Sequence, residues 1–516
     1  MSIADRLGFG AVSVMAIQGA VRDETKIGAA GTAFHAYDGS MRSIAILGGG
    51  LSGLSIAHFA KAKRSDVAVS IFEAEPQPGG KIGTESRDGF LVERGPNGIF
   101  DAKPHGVALC KQLGLGEKLV AGSDGSRKNR YVFVGEKLHA MPGGPLALLK
   151  TPLLSIGGKL SLLAEPLKRK HRFTEDGSDE SVAAFARRRF GREAADVFID
   201  ALVTGVHAGD PERLSAASAF PRMVGFERES GSVVRGAMRA SKTRRAEQLA
   251  RGETPSPQRM WSFAGGLGTL IDALRDSLVG SLQVGRAAKS LRKVEGKWSV
   301  EFDGGGSWTG DAIVLTCPAP QQAELLEATD PALARFVSEI RYASVDVVAL
   351  GYRDADAPLR PDGFGYIAPQ RTRRDLLGVQ WCSSIFPGRA PPGFVLWRAL
   401  CGGANRPDIA AWSEDELKRR VHAELKLSMG VAAEPVFSRA IRWPQAIPQY
   451  KVGHAARLTI IDRQAAKHPG LVLGGNAFRG VAINDCIEQG ELIADRLLAA
   501  FDQGKANAEA SSLQGA

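Results

Sequence analysis

A short apolar run, Ser43-Ile-Ala-Ile-Leu47, leads directly into Gly48-Gly49-Gly50-Leu51-Ser52-Gly53. No other stretch constrains the fold as much, because it fits a GxGxxG turn joining a strand to a helix. Gly48 permits the tight turn, Gly50 lets a pyrophosphate approach the backbone, and Gly53 lets helix and strand pack closely. Leu54 to Lys63 reads as the helix, whose first amides and dipole would hold the phosphates, with Leu51 and Ser52 at its entry. A second apolar strand, Val67 to Phe72, ends at Glu73, twenty positions after Gly53. A carboxylate there accepts hydrogen bonds from a ribose diol and repels a 2′-phosphate. The adenosine of FAD or NAD is therefore expected, and that of NADP is not.

Three further stretches bear on the same site. Gly79-Gly80-Lys81 follows Glu73 closely, and Phe90-Leu-Val-Glu-Arg-Gly95-Pro96-Asn97 ends in a turn. Near the other end, the strand Leu471-Val-Leu473 precedes Gly474-Gly475-Asn476 and Gly480-Val481-Ala482-Ile483, and helical spacing begins at Asn484. A glycine-bearing turn that feeds a helix offers free amides and positive potential. Placed at the pyrimidine edge of a reduced flavin, such a start would stabilise the negative charge that develops there. Together with Trp261 to Leu270, these motifs resemble the extended fingerprint of the amine-oxidase-like flavoproteins. The resemblance implies that the double glycine passes the diphosphate and that Ala288 lies near the adenine. It also implies FAD as the cofactor, bound non-covalently.

Composition narrows the class. Of 516 residues, 44% are hydrophobic and 24% charged, which excludes wholesale disorder and fibrous repeats. Cys110, Cys317, Cys382, Cys401 and Cys486 are scattered, with no CxxC pair, so neither a zinc cage nor a disulfide framework is expected. No apolar run reaches the ~18 residues of a membrane-spanning helix. His171, His207 and His454 are not spaced as metal ligands, and a structural role is expected of each. The net charge of +10 is uneven, since residues 121–260 carry 24 Lys+Arg against 16 Asp+Glu. Nucleic acid, an anionic membrane surface or an acidic ligand are the usual partners of such a segment.

A longer succession narrows the resemblance. Arg130-Tyr-Val132 leads to Leu138–Pro142, Thr151–Leu160 and Glu165-Pro-Leu167. Val203-Thr-Gly-Val-His-Ala-Gly-Asp-Pro211 precedes Leu214-Ser215 and Phe220-Pro221; Arg442-Trp-Pro444 and Ile447–Tyr450 come later. In this order, from about Arg42 to Leu498, the chain resembles the protoporphyrinogen oxidase family. That resemblance implies removal of three hydride equivalents from a porphyrinogen by FAD, which O2 reoxidises with release of H2O2. Positioning, and not acid–base chemistry, then carries the reaction, so no catalytic side chain or metal is expected. The family's pattern makes Arg130 the anchor of a propionate, with Gly205, Val347 or Val348, Phe364, and Trp381 or Cys382 lining a flat apolar pocket. It also adds Trp443 to the flavin contacts.

The chain departs from that pattern at His207, where an aromatic Tyr or a Cys is common, and at Trp381-Cys382, which replaces the more usual small-or-Phe pair. Fine substrate fit is the property these departures touch. Coproporphyrinogen III oxidation on the same fold is the rival reading. A flavin-containing porphyrin-binding protein without turnover is the alternative from another class. Amine or carotenoid oxidation gains no support from the Trp443 to Tyr450 motif. The expected architecture is α/β, with a Rossmann-type FAD domain assembled from residues 41–124, 256–325 and 455–502. A mainly helical, basic, membrane-associating segment spans 125–255, and a mixed-sheet substrate domain spans 326–454 with strands near 90–99. Residues 1–40 are expected to be a poorly ordered extension and 503–516 a tail. The Leu-rich Pro145–Lys170 beside its basic residues suits docking on anionic lipid. The expected location is thus cytoplasmic, peripheral to the inner face of the membrane; nucleic acid is not an expected partner, and homodimerisation is left open.

Overall fold

A computed structural model describes residues 42–169, 179–252, 254–359 and 362–514. The expected N-terminal extension and His171 lie outside the described residues.

The apolar run of the opening motif becomes the strand Arg42–Leu47, central to a five-stranded parallel sheet. Its neighbours, in order, are Leu282–Gln283, Val67–Phe72, then this strand, Ala312–Leu315 and Leu471–Leu473. Both faces of such a sheet are covered, which is why its strands read as unbroken apolar runs. Ile44 and Ile46 feed one core cluster with Leu54, Ala57 and Leu497, while Ala45 and Leu47 feed another with Trp298 and Val300. The helix begins at Leu51, three residues before the expected start, and runs to Lys63. The closing helix Ile483–Gln514 packs across it and continues through the boundary expected at 502. The crossing is tight: a Cβ on Gly490 would lie 2.9 Å from the Ser55 Cβ.

The second large element is a seven-stranded mixed sheet. Its order is Phe437–Pro448, Tyr342–Arg353, Phe394–Gly402, Leu376–Trp381, Gly365–Ile367, Arg130–Val134 and Lys137–Ala140. The last two strands depart from the expectation of a mainly helical 125–255, because Arg130–Val134 pairs in parallel with Gly365–Ile367. Helices take over from Pro145–Lys150 onward. On one face of this sheet Val348, Leu350, Tyr352 and Trp397 pack against Leu417, Val421 and Leu425 of the helix Glu414–Met429. That helix is well signalled. Ser413 accepts from the Glu416 amide at 3.2 Å, Glu414, Asp415 and Glu416 fill the positive first turn, and Gly430 ends it in a left-handed conformation.

The opposite face carries Val345, Val347, Ala349 and Leu396. The hairpin Thr84–Arg87 and Phe90–Glu93 lies over it, with Phe90 stacked on Phe437 at 4.6 Å between ring centroids. The chain from Glu93 to Asn97 thus passes between this face and the glycine turns. No helix of the described residues is long and apolar enough to cross a membrane.

Candidate active site

Four segments meet at the carboxyl end of the parallel sheet. In the first, Gly48 adopts a φ of +117°, and a Cβ there would lie 2.8 Å from the Thr316 Oγ1. A Cβ on Gly53 would come within 2.0 Å of the Gly48 carbonyl, so helix and strand approach as closely as the motif demands. The second segment joins it through backbone alone: the Gly79 amide donates to the Gly49 carbonyl at 2.8 Å, and Gly50 and Gly79 form an isolated bridge. A Cβ on Gly80 would sit 3.3 Å from the Gly50 Cα. In the third, a Cβ on Gly95 would collide with the Lys81 carbonyl at 2.1 Å. The fourth, Gly475 to Ile483, is tied to the first through Thr316, which both Gly48 and Gly475 approach closely.

Glu73 is buried at the end of its strand. One carboxylate oxygen accepts from the Gly49 amide at 2.6 Å and the other from the Glu75 amide at 2.9 Å. A carboxylate offers about four acceptor sites, so each oxygen keeps capacity for a diol. The amide of Arg286, two residues before Ala288, donates to the Glu73 carbonyl at 2.8 Å, which brings Ala288 to the same end. Asn97 is buried, and both of its side-chain amide atoms lack a partner among the described residues. Such orphaned polar atoms are rare in a finished interior and are expected where a polar ligand belongs. Bare glycine backbone, the half-satisfied Glu73 and the orphaned Asn97 together fit a flavin nucleotide.

The helix entry differs in one respect from the expectation of free amides. Asp485 Oδ2 accepts from the Ala482 amide at 3.2 Å, so that amide is not free for a ligand. The turn is held from behind, with the Tyr450 hydroxyl donating to the Asn476 carbonyl at 2.5 Å and His454 bonding the Phe478 carbonyl at 2.9 Å. Burial pushes both His454 and His207 down to about 4, so each ring is neutral at neutral pH. His207 bonds the Ala219 carbonyl at 3.3 Å and meets Phe220 edge to face. Trp443 donates from its indole to the Arg94 carbonyl at 2.7 Å, and so fixes the third segment against the large sheet.

Of the six expected pocket residues, three are accessible. Arg130 and Phe364 are half-buried, and Gly205 is exposed beside Ile367, whose Cδ1 a Cβ on Gly205 would meet at 2.7 Å. The Arg130 guanidinium lies over the Phe364 ring, 5.0 Å from its centroid. Among the described residues no carboxylate pairs with it and its buried Nε has no hydrogen-bond partner, and burial pushes it down to about 10 while leaving it charged at neutral pH. The other three require correction as lining residues. Val347 and Cys382 are packed, at 2% and 3% exposure, in the cluster with Phe90 and Leu396. Trp381, at 1%, sits with Tyr131 and Trp397 in the cluster of the opposite face. Sequence reasoning also passed over Thr316, whose hydroxyl donates to the Gly48 carbonyl at 2.9 Å, and the polar pair Gln380 and Arg398. A threonine at the end of another apolar strand of the parallel sheet is the one signal that could have found the former.

The comparisons with known proteins agree with this geometry. The description "Flavin containing amine oxidoreductase" matches residues 51–498. The chain belongs to this flavin-containing oxidoreductase family. It is 30% identical over 475 residues to the coproporphyrinogen III oxidase of Bacillus subtilis, covering 89% of this chain and 99% of that one. It is 33% identical over 468 residues to the chloroplastic protoporphyrinogen oxidase 1 of Arabidopsis thaliana, covering 86% and 85%. Among solved structures, a protein from Exiguobacterium sp. 255-15 with a provisional protoporphyrinogen oxidase assignment superposes at TM-score 0.76. That match is 24% identical and covers 89% of this chain and 99% of the other. The enzyme is therefore a flavin-dependent oxidoreductase with a mixed α/β fold. Among the described residues, no group of His, Cys, Asp or Glu is placed to hold a metal ion.

Proposed function

We propose that the protein binds FAD without a covalent link and oxidises protoporphyrinogen IX to protoporphyrin IX in porphyrin biosynthesis. The observation that carries this reading is Arg130: a cation without a counter-charge, on the sheet face beside the flavin segments. A porphyrinogen propionate supplies the missing carboxylate, which a guanidinium can grip at two points. Phe364 and Gly205 border the macrocycle, and Val132 and Ile367 share the face that Arg130 presents. The relatives named for porphyrinogen oxidation, at about 30% identity over most of the chain, support the same assignment.

Bound FAD supplies the hydride acceptor at N5, and three O2 take up the six electrons and six protons of complete oxidation as three H2O2. The chain's own work is to hold. Gly48, Gly50, Leu51, Ser52 and Gly53 carry the diphosphate, Gly79, Gly80 and Lys81 pass along it, and Glu73 accepts from the adenosine ribose. Gly95, Pro96 and Asn97 edge the ring, as do Gly475, Asn476, Gly480 and the helix start at Val481 to Ile483. Non-covalent binding is supported by the nearest thiols, since burial raises Cys486 to about 11 and Cys317 to about 12, leaving neither as a thiolate nucleophile at neutral pH.

Lys81 gives the site a pH signature. Burial lowers its amine to about 8. A diphosphate beside it raises that value again, so FAD binding takes up a proton. The affinity of the apoprotein for FAD should be constant below pH 7 and fall as pH rises above 8, by at most about tenfold per unit. Lys81→Met should flatten this dependence, as read by fluorescence titration.

A second substrate reading has a specific ground: the relative covered over 99% of its length is named for coproporphyrinogen III. Initial rates with the two porphyrinogens at matched concentrations decide between them. A faster rate with protoporphyrinogen IX supports the assignment made above, and the reverse order replaces it.

The reading includes a surface. Leu146, Ile156, Leu160 and Leu167 are 72%, 78%, 62% and 83% exposed, clustered in sequence with Lys150, Lys159 and Lys168. Apolar side chains rimmed by lysines suit peripheral contact with anionic lipid at the inner face of the membrane. The protein should pellet with vesicles containing one quarter phosphatidylglycerol in phosphatidylcholine at low salt. Leu160→Glu with Leu167→Glu should leave it in the supernatant without lowering its melting temperature, because neither side chain is packed.

A further inference from the structure

The same face holds a second polar contact for substrate. Arg130, Gly365, Gln380 and Arg398 are cross-strand neighbours in a single row of the large sheet. The alternate residues Tyr131, Tyr366, Val379, Trp381, Trp397 and Ala399 all belong to the cluster on the other face, so the row points toward the flavin side. Gly365 contributes no side chain, which leaves a gap between Arg130 and Gln380. Two strand spacings separate them, about 10 Å.

Arg398 is 1% exposed, and its guanidinium donates to the Glu93 carbonyl at 2.6 Å and to Gln380 Oε1 at 2.6 Å. The second bond fixes which end of the Gln380 amide is which. With the oxygen held by Arg398, the NH2 group is the free end, and it has no partner among the described residues while the side chain is half-buried. Nearby, the buried Arg389 pairs with the buried Glu93 carboxylate at 3.3 Å, whereas the buried Arg398 reaches only the carbonyl of that residue. The excess positive charge polarises the Gln380 amide toward an acceptor.

We propose that Gln380, oriented by Arg398, is a positioning residue that donates to a second carboxylate of the substrate. The proposal rests on the porphyrinogen reading above. Arg130 and Gln380 then grip two propionates of one macrocycle across the Gly365 gap. Two anchors fix the rotation of the ring in its plane, which one anchor alone leaves free, and so select the bridge carbon presented to the flavin.

The test compares Gln380→Leu and Gln380→Glu in the holoenzyme. Loss of a hydrogen bond to a charged group corresponds to about tenfold or more in binding. The Leu variant should raise KM by about that factor and lower kcat, because rings bound in another rotation present the wrong carbon, with flavin content unchanged. The Glu variant keeps the Arg398 contact as an ion pair, so its melting temperature should match or exceed that of the wild type. Its KM should nevertheless rise at least as far, because a carboxylate now faces the propionate. A residue that merely braced Arg398 would give the opposite, with the Glu variant recovering wild-type KM, and that result overturns the proposal, as does an unchanged KM in both. Absence of turnover in the wild type would remove the parent reading and this one together; turnover indifferent to Gln380 would remove only this one.

Discussion

With Arg130 replaced by alanine, KM for the porphyrinogen should rise about 100-fold, while the purified enzyme keeps its full complement of flavin. The size follows from the chemistry of the contact. A bidentate guanidinium–carboxylate pair joins two charge-assisted hydrogen bonds, together worth about 3 kcal/mol, or two powers of ten in binding. The cost of desolvating the cation is already met in the free protein, where Arg130 sits over Phe364 with no counter-charge among the described residues. Substrate binding therefore gains nearly the whole interaction. Arg130→Lys should fall between the two, since an ammonium keeps the charge and loses the fork. Steady-state kinetics with flavin absorbance on the same preparations separates the effects. A KM that does not move would take Arg130 out of the pocket.

Glu73→Ala should act on the other ligand. Its carboxylate bonds the amides of Gly49 and Glu75 and retains acceptor capacity for a ribose diol. Removing it deletes the diol contacts and leaves the Gly49 amide without its buried acceptor, beside the backbone that the diphosphate must approach. Each loss is worth about 1.5 to 3 kcal/mol, so FAD affinity should fall by about 100-fold or more and the protein should purify largely as apoenzyme. Glu73→Gln should be milder, because the amide oxygen can still accept from Gly49. Turnover at saturating FAD should recover in both, with KM for the porphyrinogen near the wild-type value. Full flavin retention in the alanine variant would contradict the ribose assignment.

The flavin segments were legible because each is local. Gly48 to Gly53, the strand ending at Glu73 and the turn before Ile483 depend on glycines and apolar runs a few residues apart, and their physical demands can be read one at a time. The substrate face was legible only in part. Arg130 pairs with Gly365, more than 200 residues away, and no local pattern announces a parallel pairing between two such short strands. Trp381 came from the family's pattern, whereas the side chain facing the flavin side is its neighbour Gln380, beyond a register shift between Leu376 and Gly378. A bulge inverts the alternation beyond it, so Val379 and Trp381 join Leu376 on the far face although parity counted from Leu376 puts Gln380 there. Val347 was assigned to the correct side but is covered by Phe90, a contact from a hairpin more than 250 residues earlier. Long-range packing of this kind fixes which side chains a ligand can reach, and it is invisible in spacing.

On the function proposed above, electrons pass from a porphyrinogen to the flavin of this enzyme. Anaerobic mixing of the holoenzyme with protoporphyrinogen IX, followed through the visible flavin band and porphyrin fluorescence, tests it directly. With enzyme in excess, each porphyrinogen should bleach three flavins and yield one porphyrin, and admitting air should restore the flavin band. Porphyrinogen that binds while the flavin stays oxidised would contradict the claim and leave a porphyrin-binding flavoprotein in its place.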